Sequence, residues 1–358
     1  MLDTSLPTQR LITQRIMHPF GAPEIAVHHM LALQAQDHAS ALWAVGLRSN
    51  SSKIVIEQAI AQRRIIRTWP MRGTLHFVTA SDARWMTELM APRVIRGARA
   101  RRQQLELSDE VLHQAKDILV AALEGDKQLS RKTLCHLLGD KAITPEGQRG
   151  NHILSYWCMQ GILCQAGGEA KDPLFALLNE WAPEAQSLSV DESLAQLAQR
   201  YFTGHGPATA HDLMWWSGLT MGEVKKGIAM ADGLANFEHE GAVYYHGDLA
   251  EASKTDPSRT FLLPAFDEYL LGYRNRTHIL LPEHATKVCP GNNGMFMPMI
   301  IVDGRVVGIW KRVIKKSGVA ISLMPFATLG SAPIASLKRQ AESYATFLQV
   351  SLLSFVVI

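Results

Sequence analysis

The chain lacks the signatures of most cofactor-dependent chemistry. Its 358 residues contain no glycine-rich phosphate loop, no dinucleotide fingerprint and no metal-ligand spacing, so no cofactor and no metal are expected. Cysteine is scarce: Cys135, Cys158, Cys164 and Cys289 form no CxxC pair, and the 14 histidines never join them at finger-like spacing. Reduced thiols without structural zinc are the expectation. No apolar run approaches the roughly 18 residues needed to cross a bilayer, and the N-terminus has no apolar signal-like core. A cytoplasmic protein with no membrane partner is expected. Charge is sparse at 19% against 47% hydrophobic residues, which excludes a disordered chain and suits two or three folded domains.

What charge there is lies unevenly. Residues 1–105 carry 14 Lys/Arg against 6 Asp/Glu, while the whole chain is only +3. A basic first third points to an anionic partner on that side. Within it, a helix is predicted from Ser81 to Gln104 that holds Arg93, Arg96, Arg99, Arg101 and Arg102 with no acid between them. Arginines three apart form a stripe on a helix, either a solvated face or a row of phosphate contacts that adds affinity without sequence information.

Periodicity organises the chain into repeats. Apolar spacing predicts helices over 9–18, from Glu24, from Ser40 and over 54–63, after which Ile65 to Val78 becomes β-branched and aromatic around a turn at Pro70-Met71-Arg72-Gly73. Short helices followed by a hairpin is the order of a winged helix. A second block repeats it with helices over 109–123, 130–138 and 145–160 and a hairpin turning at Gly167-Gly168. The third has helices over 191–202, 207–217 and 220–230, the last opened by Thr220 and Glu223 as a capping box, then a hairpin turning at Glu240-Gly241. Residues 220–230 occupy the recognition-helix position of a helix-turn-helix. Past Asp256 come strands over 260–263, 294–302, 305–311 and 319–324 with turns at Asp303-Gly304 and Ser317-Gly318, a helix over 333–348, and a terminal apolar segment from Leu352 read as a docked strand or coil. The expected fold is α+β, mainly α. It has three tandem winged-helix motifs at 1–105, 106–185 and 186–255, then a small β-barrel-like domain at 256–358 with a closing helix.

Leu33-Gln34-Ala35-Gln36-Asp37-His38 places two amides two residues apart in an apolar run. Residues i and i+2 share a face only in extended backbone, so joint action requires an extended or irregular segment there. Neither amide is a general base, but each carbonyl can hold a water. That assistance suits a reaction whose leaving group is already activated, such as glycosidic hydrolysis of a cationic N-alkylated purine. The competing reading is two amides satisfying backbone groups at a helix junction. Asp37 reads as the N-cap of the following helix, and His38 as a satisfied polar residue. Arg72, Gly73, Thr74 and His76 present a cation and an imidazole on one hairpin, with Arg72, Thr74 and His76 expected on one face able to reach a minor groove or backbone. Asp267, Glu268, Arg274 and Arg276 read as an ion-pair network anchoring the C-terminal domain, with catalysis the lesser reading. Trp215-Trp216 reads as core.

Three stretches together, Gln34-Ala35-Gln36 after a leucine, RTWPMRGTLHFV and LLPAFDEYLLGYRNR, resemble the AlkZ/YcaQ family of bacterial winged-helix DNA glycosylases over residues 8–348. The resemblance implies monofunctional excision of bulky N-alkylated purines and, in some members, unhooking of interstrand crosslinks. The family signature is Gln-x-Gln or Gln-x-Asp. Carried over, Gln34 and Gln36 position the attacking water, and the hairpin from Arg72 to His76 approaches the lesion. Double-stranded DNA carrying alkylated purines or crosslinks is then the partner, bound by Arg93, Arg96, Arg99 and Arg102, by a monomer associated with the nucleoid. A DNA-binding regulator or architectural protein without chemistry is the alternative, but it leaves the paired amides unexplained.

Overall fold

In the computed structural model, which describes residues 5–169, 171–249 and 259–358, α and β structure mix along the chain in two compact units. One comprises Met1–Ile56, Ala195–Trp216 and Thr220–Ile358, the other Glu57–Leu194 and Ser217–Leu219. Among the described residues no helix is long and apolar enough to cross a membrane.

The first unit opens with helices Leu6–Thr13 and Pro23–Met30, each started by a proline in its first turn, where the missing N–H is not needed. Helix His38–Ser49 is capped by Asp37, whose carboxylate accepts the Ser40 N–H at 2.7 Å. Its buried face carries Trp43, packed edge-on against Tyr344 and tilted against Phe347 of the closing helix Ser331–Leu348. Gly46 is required there, because a Cβ would come within 2.8 Å of the Phe347 ring. Trp43 and Trp310 donate indole N–H bonds to the carbonyls of Leu262 and Leu263. The helix that follows the paired amides is thereby seated on the C-terminal sheet.

That sheet has five strands in the order Thr260–Leu263, Met299–Val302, Arg305–Lys315, Gly318–Pro325, Leu352–Val357. The first four pair antiparallel and the last joins parallel. The sheet is open, which corrects the barrel-like expectation: Thr260–Leu263 and Leu352–Val357 are its two edges instead of a closing pair. Turns fall where Asp303-Gly304 and Glu240-Gly241 predicted them, each with both residues at positive φ. Helix Met221–Met230 carries the full capping box of Thr220 and Glu223, and hairpin Ala235–His239 with Ala242–His246 adds Ala208–Thr209 at one edge.

The second unit centres on a core that includes Leu112, Leu119, Leu134, Leu154, Trp157 and Phe175. Helix Asp109–Leu123 is capped by Ser108 and Arg131–Asp140 by Ser130. Its strands run Thr74–Thr79, Ile65–Met71, Leu163–Glu169, Asp172–Leu177, Leu129–Ser130. Arg67 and Gln165 pair across this sheet with a buried side-chain bond of 2.9 Å. Gly167 and Gly168 do not form the predicted turn. They sit inside the strand, where the register shifts between Gln165 and Gly167, so their positive φ serves a bulge. The helix predicted to open at Pro145 begins at Arg149, because Gly147 and Gln148 are left-handed.

His29 supplies a pH dependence. Burial lowers its pKa to about 4, although its Nε2 lies 2.7 Å from the Thr13 carbonyl. The folded chain therefore holds a neutral ring where the unfolded chain takes a proton, so stability is full above the unfolded value and falls with pH towards 4. Linkage gives a loss of roughly 2 kcal/mol between pH 7.5 and 5. His29→Gln should remove that increment, read as the difference between the two proteins' urea midpoints at the two pH values. Equal pH dependence in both would contradict it.

Candidate active site and nucleic-acid interface

Helix Pro23–Met30 ends abruptly at Leu31, a buried residue held at φ 61, ψ −60. The Ala32 N–H bonds back to the Met30 carbonyl at 2.6 Å, closing a three-residue γ-turn. Such a turn at a non-glycine residue stores about 1–3 kcal/mol, characteristic of sites where geometry is over-determined. It releases the chain into strand Leu33–Gln34, followed by a bend at Gln36 and Asp37. The backbone under the two amides is thus extended then irregular, as their joint action requires. Burial alternates accordingly: Leu33 and Ala35 are inward, Gln34 is half-buried and Gln36 exposed.

The Gln34 amide oxygen is shielded from solvent and accepts no hydrogen bond among the described residues. A buried carbonyl acceptor left open costs about 1–3 kcal/mol, so a group able to donate to it is strongly favoured there. Chemically the pair can orient a small donor such as water; with no charge of its own it cannot abstract a proton outright.

Behind Gln34 lies a buried polar assembly. The Gln34 N–H donates to Glu268 Oε1 at 3.2 Å, and Trp216 Nε1–H donates to Oε2 at 2.8 Å. His205 Nε2 stands 3.7 Å from Oε2, its ring stacked on Tyr201 and its pKa lowered by burial. Next in sequence, Asp267 forms a bidentate pair with Arg48 at 2.9 and 2.8 Å, both side chains fully buried. Arg48 also donates to Gln14 Oε1, whose amide nitrogen donates to the Glu268 carbonyl and the Tyr273 hydroxyl. The expected partners of Asp267 were the nearby arginines. Instead Arg276 donates to the carbonyls of Leu270 and Tyr273 and lies over the Trp215 ring, while the Arg274 backbone N–H bonds Asp212. Trp216 is fully buried, as a core residue should be, yet also bonds Glu268. Glu268, expected in an ion-pair network with Arg274 and Arg276, instead binds the Gln34 N–H and Trp216. The signal present was two adjacent acids inside an apolar segment, which burial forces to find partners.

The hairpin and the arginines belong to the other unit. Arg72 and Gly73, both at positive φ, form the two-residue tip between paired Met71 and Thr74, so Pro70 and Met71 lie in the strand rather than the turn. Gly73 is exposed and Arg72 half-buried. His76 is fully buried; its Nδ1–H donates to the Thr74 carbonyl at 2.9 Å, leaving Nε2 towards Arg72 at 3.5 Å. Thr74 and His76 share one strand two residues apart, and the tip brings Arg72 to them. The Thr74 hydroxyl is likewise shielded and without a partner among the described residues.

The arginine helix is broken. Ala83–Gly97 ends where Ala98 bonds the carbonyls of Val94 and Arg96, and Arg99–Gln104 starts anew. Arg93 and Arg96 lie on one helix, Arg99 and Arg102 on the next, so no single straight stripe exists. Arg96 and Arg99 are exposed. Arg102 is occupied, donating to the Ile95 carbonyl at 2.6 Å and lying 5.3 Å from the Tyr156 ring centre. Arg101 bonds Gln104 and Gln148.

Among the described residues, one cluster could hold a metal ion: His239, Glu240 and His278, with ligand atoms within 4.8 Å of one another at the surface. His278 Nε2 is also 3.1 Å from the Tyr244 hydroxyl. The four cysteines are unpaired thiols, and burial raises the pKa of Cys158 and Cys164.

The chain is 26% identical over 345 residues to an interstrand DNA cross-link repair glycosylase of Streptomyces sahachiroi, with 89% of each chain covered. Its fold matches that of the Streptomyces sahachiroi DNA glycosylase AlkZ with a TM-score of 0.81 at 22% identity, covering 99% of this chain and 98% of that one. The family model for AlkZ-like DNA glycosylases matches residues 27–347, from the helix before the paired amides to the closing helix. The chain belongs to the AlkZ-like family of DNA glycosylases, hydrolases of N-glycosyl bonds.

Proposed function

We propose that the chain hydrolyses the N-glycosidic bond of bulky or cationic N-alkylated purines in duplex DNA and unhooks interstrand crosslinks formed through such purines. The carrying observation is the Gln34 amide oxygen, shielded and without a hydrogen-bond donor among the described residues, at the end of an extended segment beside exposed Gln36 in the bend that follows. The crosslink-repair name of the Streptomyces relative supports the substrate class. An alkylated N7 makes the base a cation, and bond cleavage neutralises it, so the enzyme needs neither a strong base nor a metal to expel it. What remains is to hold water against an oxocarbenium-like sugar, a task for two amide carbonyls.

The modules at 1–105, 106–185 and 186–255 act as winged helices that cradle the duplex, with 256–358 as support. Arg72, Gly73 and Thr74 at the hairpin tip approach the lesion; His76 holds Arg72. Arg93, Arg96 and Arg99 face phosphates, and the occupied Arg102 gives them a fixed base. Arg96→Ala with Arg99→Ala should weaken binding to all duplex sequences alike and lower the slope of log affinity against log salt by about 2, roughly one per lost phosphate contact. An unchanged slope would place both arginines away from the backbone.

Leaving-group dependence tests the chemistry. Duplexes carrying N7-methylguanine or an N7-linked crosslink should lose base, while a duplex carrying a neutral O6-alkylguanine should not. Comparable release from both would mean that the enzyme activates the leaving group itself, against the water-holding role.

A further inference from the structure

We infer that Glu268 is a positioning residue for hydrolysis, setting the Gln34 amide through its backbone N–H. The inference rests on the water-holding role given to Gln34 above. Gln34 follows a strained γ-turn and ends a strand of only two residues, so a bond from outside the segment adds to what fixes it. Glu268 supplies it from 234 positions away: Oε1 accepts the Gln34 N–H at 3.2 Å, and the residue is 1% exposed. The carboxylate is itself fixed. Trp216 Nε1–H binds Oε2 at 2.8 Å, and Gln14 binds the Glu268 main-chain oxygen at 3.2 Å. Its neighbour Asp267 locks the same turn through Arg48 and caps the Tyr269 N–H at 2.8 Å.

A buried carboxylate is a costly way to satisfy one backbone N–H, since a neutral carbonyl would do so with less desolvation. What the acid adds is direction, because Trp216 Nε1–H fixes one carboxyl oxygen while the other takes the Gln34 N–H. Displacement of a reacting group by about 1 Å is enough to cost about 10²-fold in rate.

The test is single-turnover base release from an N7-methylguanine duplex at saturating enzyme, with DNA affinity and unfolding midpoint measured on the same samples. Glu268→Ala should slow release about 100-fold with affinity changed less than threefold. Glu268→Gln keeps an acceptor for the Gln34 N–H while opposing Trp216, and should recover about tenfold of that loss. Rates within threefold of wild type for Glu268→Ala would overturn the inference. So would equal slowing by both variants accompanied by equal losses of affinity, the pattern of a residue that only holds the fold. If wild type itself releases no base, the water-holding reading fails; if wild type is active and Gln34→Ala is slow but Glu268→Ala is not, only the present inference fails.

Discussion

Alanine at both Gln34 and Gln36 should cut base release by about 10³-fold or more, within the range expected for losing groups that orient and assist a nucleophile, while duplex affinity changes less than about threefold. The reason for the separation is local. Neither side chain carries charge, so neither contributes to the counterion release that dominates duplex binding. Ala35 between them is fully buried and Asp37 beyond them caps its helix, so truncating the two amides leaves the supports of the segment in place. Gln34→Ala should be the more damaging single change, because its oxygen is the shielded one. Aspartate also presents an oxygen at the second position, and Gln36→Asp should accordingly keep more activity than Gln36→Ala. Parallel loss of rate and affinity would instead make the amides structural.

Asp267→Ala should destabilise the fold by about 3–5 kcal/mol, the cost of leaving a buried charge without its partner. Arg48 is fully buried and bonds both Asp267 oxygens, and Asp267 additionally caps the turn that carries Glu268. The turn beneath the Glu268 carboxylate would lose its cap along with the pair. Replacing both partners by apolar residues of similar volume, Arg48→Met with Asp267→Leu, should return part of the loss, since no unpaired charge remains. Urea midpoints of the three proteins decide it. A midpoint for Asp267→Ala close to wild type would show that Arg48 finds another partner, and that the pair contributes little.

Much of the local structure was legible because it is set by residues within a few positions. Ser130 and the Thr220/Glu223 box mark helix starts through side-chain bonds to the backbone three residues on. Asp303-Gly304 and Glu240-Gly241 mark hairpins through their tolerance of positive φ. The same glycine signal misled at Gly167-Gly168, where positive φ serves a bulge, and helical periodicity ran straight through the break at Ala98, although Gly97 stands directly before it. The barrel-like expectation failed because strand content does not say whether the first and last strands meet. The paired amides could be found from spacing alone, and the need for extended backbone followed from geometry. Their support could not: Glu268 and Gln34 are 234 residues apart, Arg48 and Asp267 are 219 apart, and the γ-turn at Leu31 is imposed on a residue with no preference for it.

Single-turnover reaction of excess wild-type protein with an N7-alkylguanine duplex, followed by quantification of free base and of the abasic strand, tests the central account most directly. Release of the alkylated base and formation of an abasic site in equal amounts, without strand cleavage and without added cofactor, is the expected result. Tight binding of the same duplex with no base released would contradict it and leave a DNA-binding protein whose amides serve only its fold.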